Sequence, residues 1–359
     1  MNAHNFCNTI GAIDSFQVKD NRLSVSGWTT SLQVTGITEL RVSVGDLVIS
    51  SIAHNRLPSP DVQAAFPAAG NAGNCRFTLD LELRDLHMEL IARREVISIT
   101  PWIGDAPGVP LERIWPPSFE VAASPESDLV GSGDFVDTSF HFLALFRLLA
   151  GLRRDEAILD VGCGLGRMAY AVAHYLGPGG SYNGFDSAFT LVEMARTRFQ
   201  SSDLVKFQHI DVFNRMYNPT GRTKASDLTF PYESSSFSFV LLTSVFTHML
   251  AGEVRNYLRE IRRVTRSGGR CFATFFILNQ DTERLIKEGK STFGFRYNMP
   301  DGCAVDNMNV PENAVAYREE GLRAMVSEAG MKISQLHFGS WSGRAKFLSY
   351  QDVCILEPV

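Results

Sequence analysis

The chain has 359 residues, 45% hydrophobic and 20% charged, which is typical of globular proteins long enough for two domains. Its formal net charge of -5, without a long basic run, argues against nucleic acid as a partner, since phosphate backbones require clustered Lys and Arg. The six cysteines are scattered without a CxxC pair, so no metal site or disulfide framework is indicated. Neither a secretory leader nor a transmembrane segment is predicted, and a cytoplasmic location is expected.

The first third of the chain is predicted to be β-structure. Residues 23–28 and 40–44 alternate apolar with polar side chains, and further strands are predicted at 75–83 and 95–102. Several short strands at this spacing favour a small all-β sandwich. The proline-rich stretch at 107–125 is interpreted as a linker. We therefore predict a β-sandwich accessory domain at 1–120 and a second domain at 121–359.

After the linker the hydrophobic period changes, and strands alternate with helices. A helix is predicted at 140–152. The strands that follow are predicted at 157–161, 181–185, 205–210, 237–242, 270–276, 331–337 and 346–356, with helices at 167–175, 190–199, 253–264 and 321–329. This alternation predicts a doubly wound α/β fold around a mostly parallel, seven-stranded sheet. A hairpin between the last two strands would make one strand antiparallel.

A glycine-rich loop links the first of these strands to its helix, with the sequence Asp-Val-Gly-Cys-Gly-Leu-Gly-Arg at 160–167. A dinucleotide-binding loop has the spacing G-x-G-x-x-G, which lets a pyrophosphate rest on the helix N-terminus. Here the third glycine comes one residue earlier, so the backbone can approach a ligand closely without a dedicated phosphate cradle. We therefore expect a nucleoside ligand that carries an amino-acid tail, and not a nicotinamide cofactor.

Acidic residues follow the next two strands. Asp186 lies at a strand end about 20 residues past the glycine loop, where a carboxylate can accept hydrogen bonds from ribose hydroxyls. Asp211 ends the third strand, where it can accept the adenine amino proton while Val212 packs on the ring. The alternative role of both carboxylates is to cap the following segment.

Together these residues resemble class I S-adenosylmethionine-dependent methyltransferases, over about 130–359. Segments 217–221, 244–249, 257–261 and 267–269 resemble a bacterial small-molecule branch often found with polysaccharide and lipid-sugar biosynthesis. The resemblance implies a Rossmann-like fold and S-adenosylmethionine as the cofactor. The implied cofactor-binding residues are Asp160, Gly162, Cys163, Gly164, Gly166, Arg167, Asp186, Asp211, Val212, Thr243 and Ser244.

The N-terminal third has a resemblance of its own. Residues 25–28, 55–56, 60–62 and 66–67 resemble a small β-sandwich found beside bacterial glycosyltransferases and methyltransferases. Its alternative role is a scaffold or the surface of a homodimer, without any ligand.

His248 is the candidate general base, because it follows the fourth strand on the side of the sheet where ligands bind. A histidine side chain, with an unperturbed pKa of about 6.5, suits proton transfer at neutral pH. The alternative is a packed or capping histidine, and Asp134 and His141 are the second choices. Thr243 and Ser244 are expected near the methionine amino group, or else serve only the turn. No residue spacing indicates a metal ligand set.

Residues 279–312 form a long connection that is predicted to be a lid or binding loop. Its aromatic residues Phe293, Phe295 and Tyr297 would either stack on an acceptor or pack in a local core. Residues 339–344 would either face the acceptor or form a turn with a buried tryptophan.

Three functions remain open from the sequence. The first is O-methylation of a sugar, glycolipid or polysaccharide intermediate. The second is N- or C-methylation of a secondary metabolite. The third is a binding protein that has lost activity, although the intact glycine loop and Asp186 argue against it.

Overall fold

The computed structural model describes residues 9–32, 36–66, 69, 71–115 and 134–359. Contacts between Cα atoms divide the chain into two compact units, Met1–Leu148 with Tyr170–Tyr175 and Leu149–Ala169 with Leu176–Val359. The boundary between the two units thus follows Leu148. The sequence instead predicts a domain boundary near residue 120. That boundary stays a prediction, and the middle of the predicted linker lies outside the described residues.

The first unit is rich in β-structure. Its strands are β1 (Thr9–Lys19), β2 (Arg22–Ser31), β3 (Glu39–Val44), β4 (Leu47–Ala53), β5 (Arg76–Glu82), β6 (Ile97–Ile103), β7 (Ala106–Pro107) and β8 (Leu111–Arg113). They form two antiparallel sheets, one in the order β1-β2-β5 and one in the order β4-β3-β6-β7, with β8 also paired to β6. The β-rich character of this region is therefore confirmed.

Alternating apolar residues explain why both sheets contribute to one core. Leu23 and Val25 of β2 are buried while their neighbours Ser24 and Arg22 are exposed, as expected when successive side chains of a strand face opposite sides. The same core cluster includes Val42 of β3 and residues of β5 and β6. A sandwich remains the expected packing of these two sheets.

The prediction that this region is entirely β is wrong. It also contains α1 (Pro60–Ala65) and α2 (Asp85–Ala92). Proline at the start of α1 supplies a backbone angle already suited to the first helical turn. Both helices are too short for a 3.6-residue period to stand out in the sequence.

Helix α3 (Phe135–Ala150) begins five residues before the predicted helix. Asp134 caps it, since its Oδ1 accepts the backbone N–H groups of Val136 and Asp137, both at 2.9 Å. Most of this helix groups with the first unit, because ion pairs join its Asp137 and Arg147 to β8 residues.

The second unit is built around a seven-stranded mixed sheet. Its strands are β9 (Ala157–Val161), β10 (Ser181–Asp186), β11 (Val205–His209), β12 (Phe237–Leu242), β13 (Thr265–Phe275), β18 (Met331–His337) and β19 (Asp352–Pro358). The order is β11-β10-β9-β12-β13-β19-β18, and only the pairings of β19 are antiparallel. The seven predicted strands and the hairpin that reverses one of them are therefore present, although the last strand begins six residues later than predicted, at Asp352.

Helices connect these strands. They are α4 (Arg167–Tyr175), α5 (Phe189–Arg198), α6 (Ala251–Val264), α7 (Gln280–Lys287) and α8 (Glu319–Glu328). Each of β9, β10, β11 and β12 ends at the same edge of the sheet, because parallel neighbours share one direction. The loops that leave this edge carry the candidate site.

The long connection that is predicted to be a lid or binding loop contributes strands to a second sheet, and its role as a lid stays a prediction. Strands β14 (Ile277–Leu278), β15 (Tyr297–Asn298), β16 (Cys303–Val305) and β17 (Val315–Arg318) make a separate sheet in the order β14-β17-β16-β15. Phe293 and Phe295 pack with Phe276 and the fully buried Trp341. Of the two alternatives left open by the sequence, a local core is observed for Phe293 and Phe295, whereas Tyr297 is exposed. Among the described residues, no helix is long and apolar enough to cross a membrane.

Candidate cofactor and active site

The glycine loop after β9 adopts backbone angles that favour glycine. The φ angles of Gly162, Gly164 and Gly166 are 79°, 50° and 76°, in the left-handed region that residues with a Cβ rarely adopt. The N–H groups of Gly162 and Cys163 both donate to the carbonyl of Phe185, at 2.9 and 3.0 Å. The loop is thus bonded to the end of β10, at the edge where β9 and β10 finish.

Close packing leaves no room for side chains at the loop glycines. A Cβ on Gly162 would lie 2.5 Å from Cγ2 of Val245, and one on Gly166 would lie 2.9 Å from Cε2 of Phe199. These distances are shorter than any normal contact between carbon atoms. Glycine at these two positions therefore lets the side chains of Val245 and Phe199 pack directly on the loop backbone.

Asp160, at the end of β9, is almost fully buried. The hydroxyl of Tyr182 donates to its Oδ2, while its Oδ1 has no hydrogen-bond partner among the described residues. Burial raises the pKa of Asp160 to about 7, although the bond from Tyr182 acts in the opposite direction. A buried carboxyl oxygen without a partner beside the glycine loop is suited to a polar ligand group.

Asp186 ends β10 and is partly buried. Its Oδ2 accepts the N–H of Gly164 and its Oδ1 accepts the N–H of Ala188, both at 2.8 Å. Burial is the main cause that raises the pKa of this carboxyl group, and the bonds from Ala188 and Gly164 lower it. Asp186 therefore supports the turn before α5, as in the capping alternative. Each oxygen can accept a second hydrogen bond, as the ribose role requires.

Two other loop residues pack into the protein. The side chain of Cys163 is buried, and a Cβ on Gly184 would lie 2.7 Å from the Cβ of Cys163. Burial raises the pKa of the Cys163 thiol, so this group is not activated as a nucleophile. Arg167 begins α4 and is also buried. Both side chains are therefore shielded from solvent, and their role in cofactor binding stays a prediction.

Asp211 lies in a different environment. Its Oδ2 accepts the Nε–H of Arg222 at 2.6 Å, and this bond lowers the pKa of the carboxyl group. Both side chains are accessible to solvent, at 38% and 89%. Val212 is buried in the main core of the second unit. The loop that follows is held by bridges from Val212 to Thr223 and from Asn214 to Asn218.

The segment after β12 packs against the glycine loop. Ser244 has a φ of 61°, which is uncommon for a residue with a side chain, and its N–H donates to the buried Oγ1 of Thr274 at 2.7 Å. Thr243 is partly buried and Ser244 is exposed. Val245 meets Gly162, so Thr243 and Ser244 lie next to the predicted cofactor loop.

His248 lies in the short 3-10 helix Phe246–His248 that follows. Its Nδ1 is 2.9 Å from the carbonyl oxygen of Glu312. A carbonyl oxygen only accepts hydrogen bonds, so Nδ1 carries the proton and Nε2 keeps its lone pair. This arrangement suits a general base, because the ring is oriented through one nitrogen while the other stays basic.

The second-choice bases lie in the first unit. Asp134 is occupied as the cap of α3, and His141 is on the same helix, with its ring 6.0 Å from that of Phe142. The sequence did not indicate Gln351, whose side-chain amide bonds to Ser244, or the contact between Val245 and Gly162. No sequence motif marks them, because both arise from strands and loops that are distant in the chain. Within the described residues, no group of three or more His, Cys, Asp and Glu side chains could hold a metal ion.

Comparison with known proteins gives a family for part of the chain. The family described as methyltransferase domain matches residues 159–273, which include the glycine loop. Demethylmenaquinone methyltransferase of Staphylococcus aureus is 27% identical over 156 residues, or 42% of this chain and 54% of the relative. The chain thus spans about half the length of the curated relatives that it matches.

Solved structures are similar over a larger part of the chain but only partly superimposable. A methyltransferase from Methanosarcina mazei, described as SAM-dependent, is 19% identical, with a TM-score of 0.41, over 59% of this chain and 96% of that one. The CcbJ methyltransferase from Streptomyces caelestis is 17% identical, with a TM-score of 0.40, over 61% and 89%.

The glycine loop, the unpartnered oxygen of Asp160 and the carboxylate of Asp186 fit a nucleoside ligand, and the family match includes all three. Residues 159–273 of the second unit thus match a methyltransferase domain. This match supports S-adenosylmethionine as the cofactor.

Proposed function

We propose that this protein methylates a hydroxyl group of a sugar, glycolipid or polysaccharide intermediate. The observation that carries this proposal is the hydrogen bond from Nδ1 of His248 to the carbonyl of Glu312. It leaves Nε2 as a basic nitrogen on the segment that packs against the cofactor loop. An alcohol is a weak nucleophile, and its methylation is helped by a group that accepts the proton.

The cofactor would be held by the residues around the glycine loop. The backbone at 162–166 would lie along the ligand, Asp186 would accept the ribose hydroxyls, and Asp211 would accept the adenine amino group. Thr243 and Ser244 would contact the amino-acid tail. When bound, S-adenosylmethionine supplies a methyl group that is already activated by the positive charge on sulfur.

His248 would then act on the acceptor. Its Nε2 takes the proton of the acceptor hydroxyl as the oxygen gains the methyl group, and the backbone carbonyl of Glu312 stabilises the resulting imidazolium. No metal ion takes part in this proposal. The role of the N-terminal β-sandwich domain as a scaffold or dimer surface stays a prediction.

The sugar acceptor is supported by resemblance alone, through segments 217–221 and 244–249. The runner-up is methylation of an acceptor of the demethylmenaquinone kind, which the name of the Staphylococcus aureus relative favours. The two functions differ in two respects. A hydroxyl acceptor requires His248 as its base, and the two acceptors are found in different extracts.

The test combines labelled S-adenosylmethionine with glycan extracts of the host and, separately, with demethylmenaquinone. We expect label in the glycan fraction, and we expect His248→Asn to lower that rate by about 10²- to 10⁴-fold, since it removes the basic nitrogen. His337→Asn, a half-buried histidine of β18, is the matched control and should keep the activity.

If demethylmenaquinone is labelled and the glycan fraction is not, the sugar acceptor is wrong and the runner-up function replaces it. A His248→Asn variant with normal turnover on glycan would return His248 to a packing role. Affinity for S-adenosylhomocysteine should stay within about twofold in this variant, because the proposed ribose and adenine contacts belong to other strands.

A further inference from the structure

Gln351 lies at the edge of the sheet that carries the cofactor loop. It directly precedes β19, whose first residue Asp352 pairs with Phe275 at the end of β13. Because β19 is antiparallel, its start lies at the same edge as the ends of the parallel strands. Gln351 is therefore next to the segment that leaves β12, although it is more than 100 residues away in sequence.

The side-chain amide of Gln351 reaches two hydroxyl groups of that segment. Its Nε2 donates to Oγ of Ser244 at 2.9 Å and is 3.5 Å from Oγ1 of Thr247. The two hydroxyl oxygens are themselves 3.5 Å apart. A hydroxyl oxygen that accepts from the amide keeps its own O–H as a donor, so at least one O–H of the pair can donate to a ligand.

Val245 lies between these two residues in sequence and packs against the glycine loop. A Cβ on Gly162 would lie 2.5 Å from Cγ2 of Val245, so the two loops are in direct contact at this point. Gln351 thus bonds to residues on both sides of the side chain that contacts the cofactor loop.

Ser244 gives a second reason to regard this segment as functional. Its φ of 61° is strained for a residue with a Cβ and persists only when neighbours hold it. The neighbours are Thr274, which accepts its N–H, and Gln351, which donates to its hydroxyl. Strained residues of this kind cluster at functional sites.

We propose that Gln351 is a positioning residue for the amino-acid tail of the cofactor. It holds the segment 243–248 against the glycine loop, so that the hydroxyl pair of Ser244 and Thr247 donates a hydrogen bond to the carboxylate of that tail. This role rests on the proposed contact between Ser244 and the cofactor, and it extends that contact to Thr247 and Gln351. The contacts of the protein with the ribose and adenine do not depend on Gln351.

The test compares two probes by calorimetry, S-adenosylhomocysteine and 5′-methylthioadenosine, which lacks the amino-acid tail. Gln351→Met keeps the length of the side chain and removes its hydrogen bonds. It should weaken S-adenosylhomocysteine about 3- to 10-fold and leave methylthioadenosine within about twofold. Gln335→Met is the matched control, because the amide of Gln335 also makes a 2.8 Å bond, to the carbonyl of Leu149. It should change neither affinity.

Equal losses for both probes, or no loss for either, would overturn the role of Gln351. Thr247→Val serves if Gln351→Met does not fold, and it should show the same selective loss. A wild-type protein that binds neither probe would overturn the cofactor assignment itself, and the role of Gln351 with it. A wild-type protein that binds both, with unselective variants, overturns only the role of Gln351.

Discussion

Two acidic regions of the second unit differ sharply, although the sequence assigns both to the cofactor. Asp160 and Asp186 lie beneath and beside the glycine loop, with limited access to water and raised pKa values. Asp211, one strand further along the sheet, is exposed and paired with Arg222, with a lowered pKa. The carboxyl groups of Asp160 and Asp186 therefore resist ionisation, whereas the environment of Asp211 favours it.

This difference teaches that the position of a carboxylate at a strand end does not by itself make it a cofactor-binding group. A buried carboxylate whose oxygens keep acceptor capacity gains from a ligand that donates hydrogen bonds, since it has little contact with water. An exposed carboxylate with an arginine partner is already solvated and paired, so a ligand adds little. We therefore expect cofactor affinity to depend strongly on the region beside the glycine loop and weakly on Asp211.

Asp186→Ala should have the largest effect on binding. Losing hydrogen bonds to a charged acceptor costs about 1.5–3 kcal/mol, so affinity for S-adenosylhomocysteine should fall roughly 10- to 100-fold in calorimetry. The unliganded protein should also lose stability, because Gly164 and Ala188 donate to this carboxylate. Urea unfolding measures that second effect and confirms that binding is tested on folded protein.

Asp155→Ala is the control for that experiment. Its side chain is 64% exposed and precedes β9, at the opposite end of the strand from the glycine loop. It should leave the affinity unchanged. An Asp186→Ala protein with wild-type affinity would leave Asp186 with the capping role alone.

Asp160→Asn should change how stability depends on pH. The folded-state pKa of about 7 lies above the usual 3.8, so the folded protein holds this proton where the unfolded chain has lost it. The contribution of Asp160 to the free energy of unfolding is complete below about pH 4. It declines as pH rises toward 7, by up to about 1.4 kcal/mol per pH unit. The variant should lack this decline. Parallel slopes for both proteins in urea unfolding between pH 4.5 and 7 would show that Asp160 is ionised throughout.

Asp211→Asn should have the smallest effect. We expect a change of less than about fivefold in the affinity for S-adenosylhomocysteine, because the carboxylate is exposed and its ion pair is screened by water. Arg222→Gln, which frees the carboxylate, is the companion variant, and calorimetry measures both. A loss at Asp211 as large as that at Asp186 would remove the distinction between the two regions.

Much of the second unit could be predicted from the sequence, because its strands carry strong local signals. Buried apolar runs such as 157–161 and 237–242 were assigned within one residue, and the glycine loop was placed between strand and helix. The glycine spacing also predicts a nucleoside ligand with an amino-acid tail. These features depend on short stretches of chain, where composition and period are sufficient.

Contacts between distant segments could not be predicted. The packing of Val245 on Gly162 and the bond from Gln351 to Ser244 depend on the order of strands in the sheet, which no local period reveals. The strands within 279–312 could not be predicted for a related reason. These two-residue and three-residue strands are too short to show alternation, and they form a sheet only with β14 and β17.

The bond between His248 and Glu312 has a consequence for how this protein can evolve. The group that orients the imidazole is a main-chain carbonyl, which every amino acid supplies. Sequence drift at position 312 can therefore alter size and charge without removing the acceptor, whereas an insertion or deletion in the turn Pro311–Asn313 would displace it. Among homologues, the length of this turn should accordingly be kept more strictly than the identity of its residues.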